Sequence, residues 1–218
     1  MTTCPSGVNY MHLVDHARAY IEARYRRPLV ERLFRNLLAV VLPYPGRFRL
    51  ALALARLARP MGPLFAETPA LKPMAAMLAL TPGKAAHKAS NASSPAPASK
   101  GRVALLQGCA EPVLRPEIRE ATVRLLNRAG YDVVFAPGEV CCGALVHHMG
   151  REQASLEAAR RNVDAWSRLA DEGLDAVVVT ASGCGTTIKD YGFMLRGDAA
   201  YAARAERVSA LAADISEL

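Results

Sequence analysis

Two adjacent cysteines followed by glycine, Cys141-Cys142-Gly143, constrain this chain more than any other stretch. Neighbouring cysteines make a strained disulfide, whereas both thiols can bind one metal centre. Gly143 allows the backbone to turn closely around whatever the sulfurs hold. Cys109 lies 32 residues before Cys141, and Cys184 lies 42 residues after Cys142. We interpret these four cysteines as one thiolate site.

From residue 101 onward, strand-like and helix-like segments alternate. The pattern predicts strands at 103–106, 131–136 and 175–180, and helices at 116–129, 151–171, 184–195 and 199–213. Such alternation is typical of right-handed βαβ units and a parallel sheet. Each cysteine of the site follows a predicted strand, so all four are expected at the carboxyl edge, where open α/β sheets bind ligands.

Four thiolates suit an iron–sulfur cluster or a tetrahedral zinc ion. Zinc sites typically use short C-x2–4-C pairs, so the adjacent pair and the long separations favour iron and sulfide. Loop amides beside Gly108, Gly143 and Gly185 are expected to donate to the sulfurs and offset the charge of the site. His147 and His148 are weaker ligand candidates, for which a surface role is the simpler interpretation.

The first part of the chain is predicted to be helical, with helices at 10–26, 29–42, 46–58 and 69–80. Residues 82–100 are rich in alanine, serine and proline, which predicts a disordered linker and a domain boundary. The predicted architecture is therefore a helical segment at 1–81, a linker at 82–100 and an α/β domain at 101–218.

Charge divides the chain in two. Residues 1–100 hold 14 Lys and Arg against 4 Asp and Glu, whereas residues 101–218 hold 13 against 16. A basic half can dock an acidic partner or a membrane surface, but no nucleic-acid-binding motif accompanies the charge.

A membrane-spanning helix needs about 20 apolar residues, and the apolar run at 37–42 has six. No Ser-His-Asp arrangement or phosphate-binding loop is present, so unaided catalysis is not expected.

The Cys4-Pro5 pair fits the last position of the bacterial ferredoxin pattern C-x2-C-x2-C-x3-C-P. The preceding cysteine of that pattern would fall before residue 1. We therefore expect the chain to be truncated at its N-terminus. Cys4 is a candidate metal ligand whose partner ligands are absent, so a cluster is not expected there.

Three segments carry a resemblance to a known family. They are Leu106-Gln107-Gly108-Cys109, Cys141-Cys142-Gly143-Ala144 and Thr180-Ala181-Ser182-Gly183-Cys184-Gly185. They resemble the cysteine-rich CCG domain, and they are similar to those of glycolate dehydrogenase (glycolate oxidase) iron–sulfur subunits. The resemblance continues through 162–166 and 189–192, and residues 3–8 resemble the second ferredoxin motif of those subunits.

The resemblance implies an electron-transfer subunit that is not catalytic alone. In that family a ferredoxin domain with two clusters precedes two CCG repeats, so residues 1–81 would be a remnant of the ferredoxin-type domain and residues 101–218 the first repeat. The implied partners are flavin-containing glycolate dehydrogenase subunits, which oxidise glycolate to glyoxylate and send electrons towards a quinone-linked acceptor. The implied location is the cytoplasm or the inner face of its membrane, with peripheral membrane association.

Cys109, Cys141, Cys142 and Cys184 carry over as cluster ligands. Heterodisulfide-reductase relatives have a C-x-x-C pair at the last position, but Ala181 stands here. This departure favours a [4Fe–4S] cluster on four thiolates over a noncubane cluster on five. Three alternatives stay open: a CCG subunit of lactate utilisation, one of heterodisulfide reduction, or a cluster-free binding fragment.

Overall fold

A computed structural model describes residues 7–87 and 100–218 of the 218-residue chain. Its first part is helical, as predicted. The helices are α1 (Tyr10–Arg24), α2 (Leu29–Val41), α3 (Pro45–Ala58), α4 (Gly62–Glu67) and α5 (Lys72–Ala79). Short 3-10 turns at Arg59–Met61 and Pro69–Leu71 flank α4.

The second part alternates strands and helices. In chain order these are β1 (Gly101–Leu105), α6 (Glu111–Leu114), α7 (Pro116–Arg128), β2 (Tyr131–Val134), α8 (Ala144–His148), α9 (Glu152–Asp171), β3 (Ala176–Val179), α10 (Ser182–Lys189), α11 (Tyr191–Met194), α12 (Ala202–Leu211) and β4 (Ala212–Asp214). A 3-10 turn at Ile215–Glu217 follows β4. The predicted helix over 184–195 is divided into α10 and α11, and sequence reasoning missed the short helices α4, α6 and α8.

The four strands form one parallel sheet in the order β2-β1-β3-β4. This confirms the predicted parallel α/β fold, but the prediction contained three strands. The fourth, β4, lies where the helix 199–213 was expected to end. It pairs Ala212 with Val177 and Asp214 with Val179. A three-residue strand of Ala-Ala-Asp has no sequence pattern of its own, so pairing with β3 overrides the local preference.

The core lies on both faces of this sheet because strand residues alternate between faces. On one face, Ala104 and Val177 pack with Val163 and Trp166 of α9. On the other face, β1, β2 and β3 pack with Val123 and Leu126 of α7. Helices covering both faces explain why the strands are almost wholly apolar.

The helical part contacts the α/β part largely through polar side chains. His12 Nε2 lies 2.7 Å from Asp190 Oδ1, and Arg35 donates to the carbonyl of Met149 at 2.7 Å. The apolar contribution is small and centres on Ala39, which packs with Val146 and Met149.

The strongly amphipathic helix α2 turns its apolar side outward. Its exposed apolar residues are Leu29, Val30, Leu33, Leu37 and Val40. Among the described residues, no helix is both long and apolar enough to cross a membrane.

The predicted linker lies mostly outside the described residues, which omit 88–99. His87, expected to be solvated, is exposed, and its Nε2 lies 2.9 Å from Glu120 Oε1.

Gly150 allows the closest approach between the two parts. Its φ is +77°, and a Cβ built there would overlap the backbone carbonyl of Arg18 in α1. Gly173 has a similar φ of +89°, but a Cβ there would meet no atom within 4 Å. Comparing a substitution at Gly150 with the same substitution at Gly173 therefore separates backbone strain from steric overlap with α1.

We expect Gly150→Ala to loosen α1, whereas Gly173→Ala should not. Both changes place a side chain on a backbone in the left-handed region, which should lower the free energy of unfolding by about 1–2 kcal/mol. Only Gly150→Ala adds the overlap with Arg18. Amide hydrogen exchange over residues 10–24 should quicken in Gly150→Ala alone. Equal exchange of α1 in the two variants would show that α1 does not depend on this contact.

Candidate metal centre

The four predicted site cysteines lie together beyond the carboxyl ends of three neighbouring strands. Cys109 follows β1, Cys141 and Cys142 follow β2, and Cys184 follows β3 in the first turn of α10. Cys141 and Cys142 are buried, whereas Cys109 and Cys184 are half-buried. The parallel topology brings the cysteines to one edge despite their wide separation in sequence.

The thiols form a row in which each hydrogen-bonds the next: Cys109 to Cys141, Cys141 to Cys142, and Cys142 to Cys184. Donation to Cys141, together with burial, raises the pKa of Cys109 far above its usual range. For Cys141, the bond from Cys109 lowers the pKa, but the bond to Cys142 and burial outweigh it and raise the pKa to about 11.

For Cys142, the bond from Cys141 lowers the pKa, while the bond to Cys184 and burial raise it to about 12. These thiols therefore hold their protons at neutral pH. A bound cationic centre would be needed to keep them as thiolates.

Backbone amides point at three of the sulfurs. The amide of Ala110 hydrogen-bonds the sulfur of Cys109, that of Gly143 bonds Cys141, and that of Ala144 bonds Cys142. Gly143 has a φ of +83° and stands at the start of α8. Its left-handed conformation, which glycine adopts freely, turns the chain from the cysteine pair into that helix.

Glu139 joins the loop before Cys141 to the loop before Cys109. Its Oε1 accepts from the backbone N–H of Gln107 at 2.5 Å, and its Oε2 accepts from Trp166 Nε1 at 3.2 Å. Burial raises the pKa of Glu139 to about 7, against the opposing effect of these two bonds. Sequence reasoning missed this residue, although a lone acidic residue in the loop 137–140 was the available indication.

Asn162 and Tyr191 bind the backbone around the cysteine pair. Asn162 Oδ1 accepts from the N–H of Val140 at 2.8 Å, and its Nδ2 donates to the carbonyl of Cys141 at 3.2 Å. The Tyr191 hydroxyl donates to the carbonyl of Cys142 at 2.8 Å and accepts from Asn162 Nδ2 at 3.0 Å. Complete burial raises the pKa of Tyr191 well above its usual range, so the phenol keeps the proton that it donates.

The donor set consists of four thiols, and soft sulfur donors of this kind suit an iron–sulfur cluster. In the described part of the chain, no three His, Cys, Asp or Glu side chains are grouped so as to hold one metal ion directly. The thiols instead extend in a row that begins and ends at half-buried cysteines. A cluster takes one sulfur on each of several irons, which suits donors spread along a sheet edge.

The weaker candidates have other contacts. His147 Nε2 lies 3.1 Å from Asp15 Oδ2, and His148 Nδ1 lies 3.5 Å from Asp15 Oδ1, so both histidines face α1. Cys4 lies outside the described residues, so its predicted role stays a prediction.

A cavity of about 310 Å³ opens beside Cys141. The α2–α3 turn, with Tyr44, forms one wall, and α9, with Glu157 and Arg161, forms another. The cavity reaches the loop that carries Cys141, which is itself buried.

Comparison with known proteins shows what the chain is similar to. Residues 103–189 match the family described as CCG, cysteine-rich domain. The chain is 40% identical over its whole length to the glycolate oxidase iron-sulfur subunit of Escherichia coli, of which it covers 50%. It is 33% identical over 93% of its length to the probable glycolate oxidase iron-sulfur subunit of Bacillus subtilis, of which it covers 47%.

A third relative matches a smaller share of the chain. Lactate utilization protein A of Bacillus licheniformis is 30% identical over 50% of this chain and 43% of its own length. The chain thus spans about half the length of the curated relatives it matches. No solved structure matches the chain significantly.

The raised pKa values predict slow alkylation of the cysteine pair in metal-free protein. The thiolate is the reactive form. With pKa values of about 11 and 12, Cys141 and Cys142 carry little thiolate at pH 8. We expect iodoacetamide to modify both far more slowly than in the urea-unfolded chain, and faster as the pH rises towards 11. Peptide mass spectrometry measures this, and equal rates in folded and unfolded chains at pH 8 would contradict the buried row.

Proposed function

Since residues 103–189 form a cysteine-rich domain of the CCG family and the whole chain resembles glycolate oxidase iron–sulfur subunits, we propose that this protein is an electron-transfer iron–sulfur subunit of such a complex. The observation that supports the proposal most is the row of four thiols at one sheet edge, with backbone amides directed at its sulfurs.

The proposed ligands are Cys109, Cys141, Cys142 and Cys184. When bound, the cluster supplies one-electron oxidation and reduction. The chain's part is to hold the four sulfurs, to offset negative charge with the amides of Ala110, Gly143 and Ala144, and to keep water from the buried pair. Hydrogen bonds and burial of this kind tune the reduction potential of a metal site.

We propose a [4Fe–4S] cluster. Four thiolates supply one protein ligand to each of four irons. The noncubane alternative would need a fifth thiolate at position 181, where Ala181 stands. Half-buried Cys109 and Cys184 leave the ends of the row near the surface, where electrons can enter and leave.

Anaerobic reconstitution with iron and sulfide tests the cluster. We expect absorbance near 400 nm, roughly four irons and four sulfides per chain, and a paramagnetic signal after reduction. Cys142→Ser should abolish the cluster because it removes a buried ligand. Cys4→Ser removes a thiol outside the proposed site and should leave the cluster intact. Stoichiometric zinc without sulfide, or equal loss in the two variants, would contradict the assignment.

The proposed electron donor is a flavin-containing subunit that oxidises glycolate to glyoxylate, and the proposed acceptor is quinone-linked. The names of the two relatives matched along nearly the whole chain support glycolate as the substrate of the complex. The flavin donor and the quinone-linked acceptor rest on the family resemblance of the sequence. The match to a lactate utilization protein over half the chain favours lactate oxidation as the second candidate.

Reduction of the loaded protein by its own flavoprotein distinguishes these substrates. We expect glycolate to bleach the cluster absorbance anaerobically when a flavin-containing glycolate dehydrogenase subunit is added. The expected ratio of glycolate to lactate initial rates is at least about tenfold, or 1.4 kcal/mol of barrier. A larger rate with lactate would reverse the assignment, and no bleaching with either would remove both candidates.

We propose a cytoplasmic location, with peripheral attachment to the inner face of the membrane. The outward apolar residues of α2 and the arginines of α3 are consistent with attachment to an anionic lipid surface. Co-sedimentation with anionic vesicles measures this, and absence of salt-sensitive binding would argue against it.

A further inference from the structure

We propose that Asn162 and Tyr191 are positioning residues that hold the backbone of Cys141 and Cys142 in its ligating conformation. This inference rests on the proposed iron–sulfur function. It assigns a role to two segments, 162–166 and 189–192, that the ligand set leaves unexplained. Neither residue reaches a sulfur through any described hydrogen bond, so both act through the main chain.

The contacts cover three backbone groups in succession. Asn162 accepts a hydrogen bond from the N–H of Val140 and donates one to the carbonyl of Cys141, and Tyr191 donates one to the carbonyl of Cys142. The two side chains also bond each other at 3.0 Å, so they form one connected unit. Asn162 and Tyr191 are both completely buried. Water therefore does not compete for these bonds in the folded protein.

The geometry connects these carbonyls to the sulfurs. Rotation of a peptide at Cys141 or Cys142 changes the backbone dihedrals at the Cα that carries the side chain, and so moves Sγ. A buried carbonyl that loses its hydrogen-bond donor costs free energy because it remains unpaired. Its peptide therefore tends to rotate until the carbonyl meets another donor. Loss of either donor should therefore displace the sulfurs, although the thiols themselves are unchanged.

The unit is itself held rigidly. The Tyr191 ring stacks on Trp166 with 6.4 Å between centroids and 19° between planes. The next residue, Gly192, donates its N–H to Ser209 Oγ at 2.9 Å, and a Cβ at Gly192 would lie 3.1 Å from the Glu206 backbone of α12. Tyr191 thus cannot shift without moving α9 and α12. A rigid supporting group is what positioning of a metal ligand requires.

Tyr191→Phe is the sharpest test because it deletes one hydroxyl and keeps the ring that packs on Trp166. Tyr201→Phe is the matched control: Tyr201 donates its hydroxyl to Asp164 Oδ2 at 3.0 Å in the same domain, and no described hydrogen bond joins its side chain to the cysteine loops. Asn162→Ser is the second variant and shortens the side chain that bonds Val140 and Cys141. All three are reconstituted with iron and sulfide alongside the unmodified chain.

We expect Tyr191→Phe and Asn162→Ser to lose iron to a chelator about 10- to 100-fold faster than the unmodified chain, which is the usual effect of removing an outer partner of a metal ligand. The paramagnetic spectrum of the reduced cluster should also change. Tyr201→Phe should match the unmodified chain in both measurements. A merely structural role would lower the melting temperature without altering the spectrum of the folded fraction.

Wild-type iron release and an unchanged spectrum in both Tyr191→Phe and Asn162→Ser would overturn the proposal. If Tyr191→Phe does not fold, Asn162→Ser alone decides. If the unmodified chain takes up no cluster, the proposed function fails, yet metal-free protein still tests the positioning. Iodoacetamide should then label Cys141 and Cys142 faster in folded Tyr191→Phe than in Tyr201→Phe, and equal labelling would refute it.

Discussion

Crowding four thiols at the carboxyl edge of one sheet is the constraint on which the rest of this structure depends. The thiols hydrogen-bond one another in a row, and burial disfavours their charged forms. Such a row is stable without metal only while it is protonated. Binding a cationic centre therefore releases protons and exchanges weak S–H···S hydrogen bonds for coordinate bonds to sulfur. The fold must hold the backbone in place through that exchange, because the thiols do not fix their own positions.

Helix α9 supplies most of that support, and for this it carries polar groups into the core. Asn162 and Trp166 are four residues apart, so they lie on one face of the helix. Asn162 bonds the loop of the cysteine pair, and Trp166 bonds Glu139, which in turn bonds the loop before Cys109. Buried polar groups are tolerated when they are fully paired and costly when they are not. One helical face thereby ties two cysteine loops to the same rigid element.

The parts of this arrangement that follow from local pattern could be predicted from sequence. Hydrophobic periodicity located the long helices and three strands, and parallel topology then brought the four cysteines to one edge. The missing pieces depend on tertiary contacts. Strand β4 forms because Ala212–Asp214 pairs with β3. Helix α8 has only five residues, too few for its pattern to predict a helix. Asn162, Glu139 and Tyr191 each bond a backbone group of a cysteine loop, and backbone partners leave no trace in the side-chain pattern. The role of Cys4 and the domain boundaries at 81 and 101 stay predictions.

Helix α8 connects the cysteine site to the helical part of the chain. It begins directly after Gly143, and its last two residues, His147 and His148, face Asp15 of α1. The chain then reaches Gly150, where α1 approaches too closely for a side chain. A shift of α1 would therefore press on an element only two residues from a buried thiol, Cys142. Because the contacts between α1 and α8 are polar and partly exposed, each is weak alone. Several weak contacts around one close backbone approach give a join that is specific in position and modest in strength.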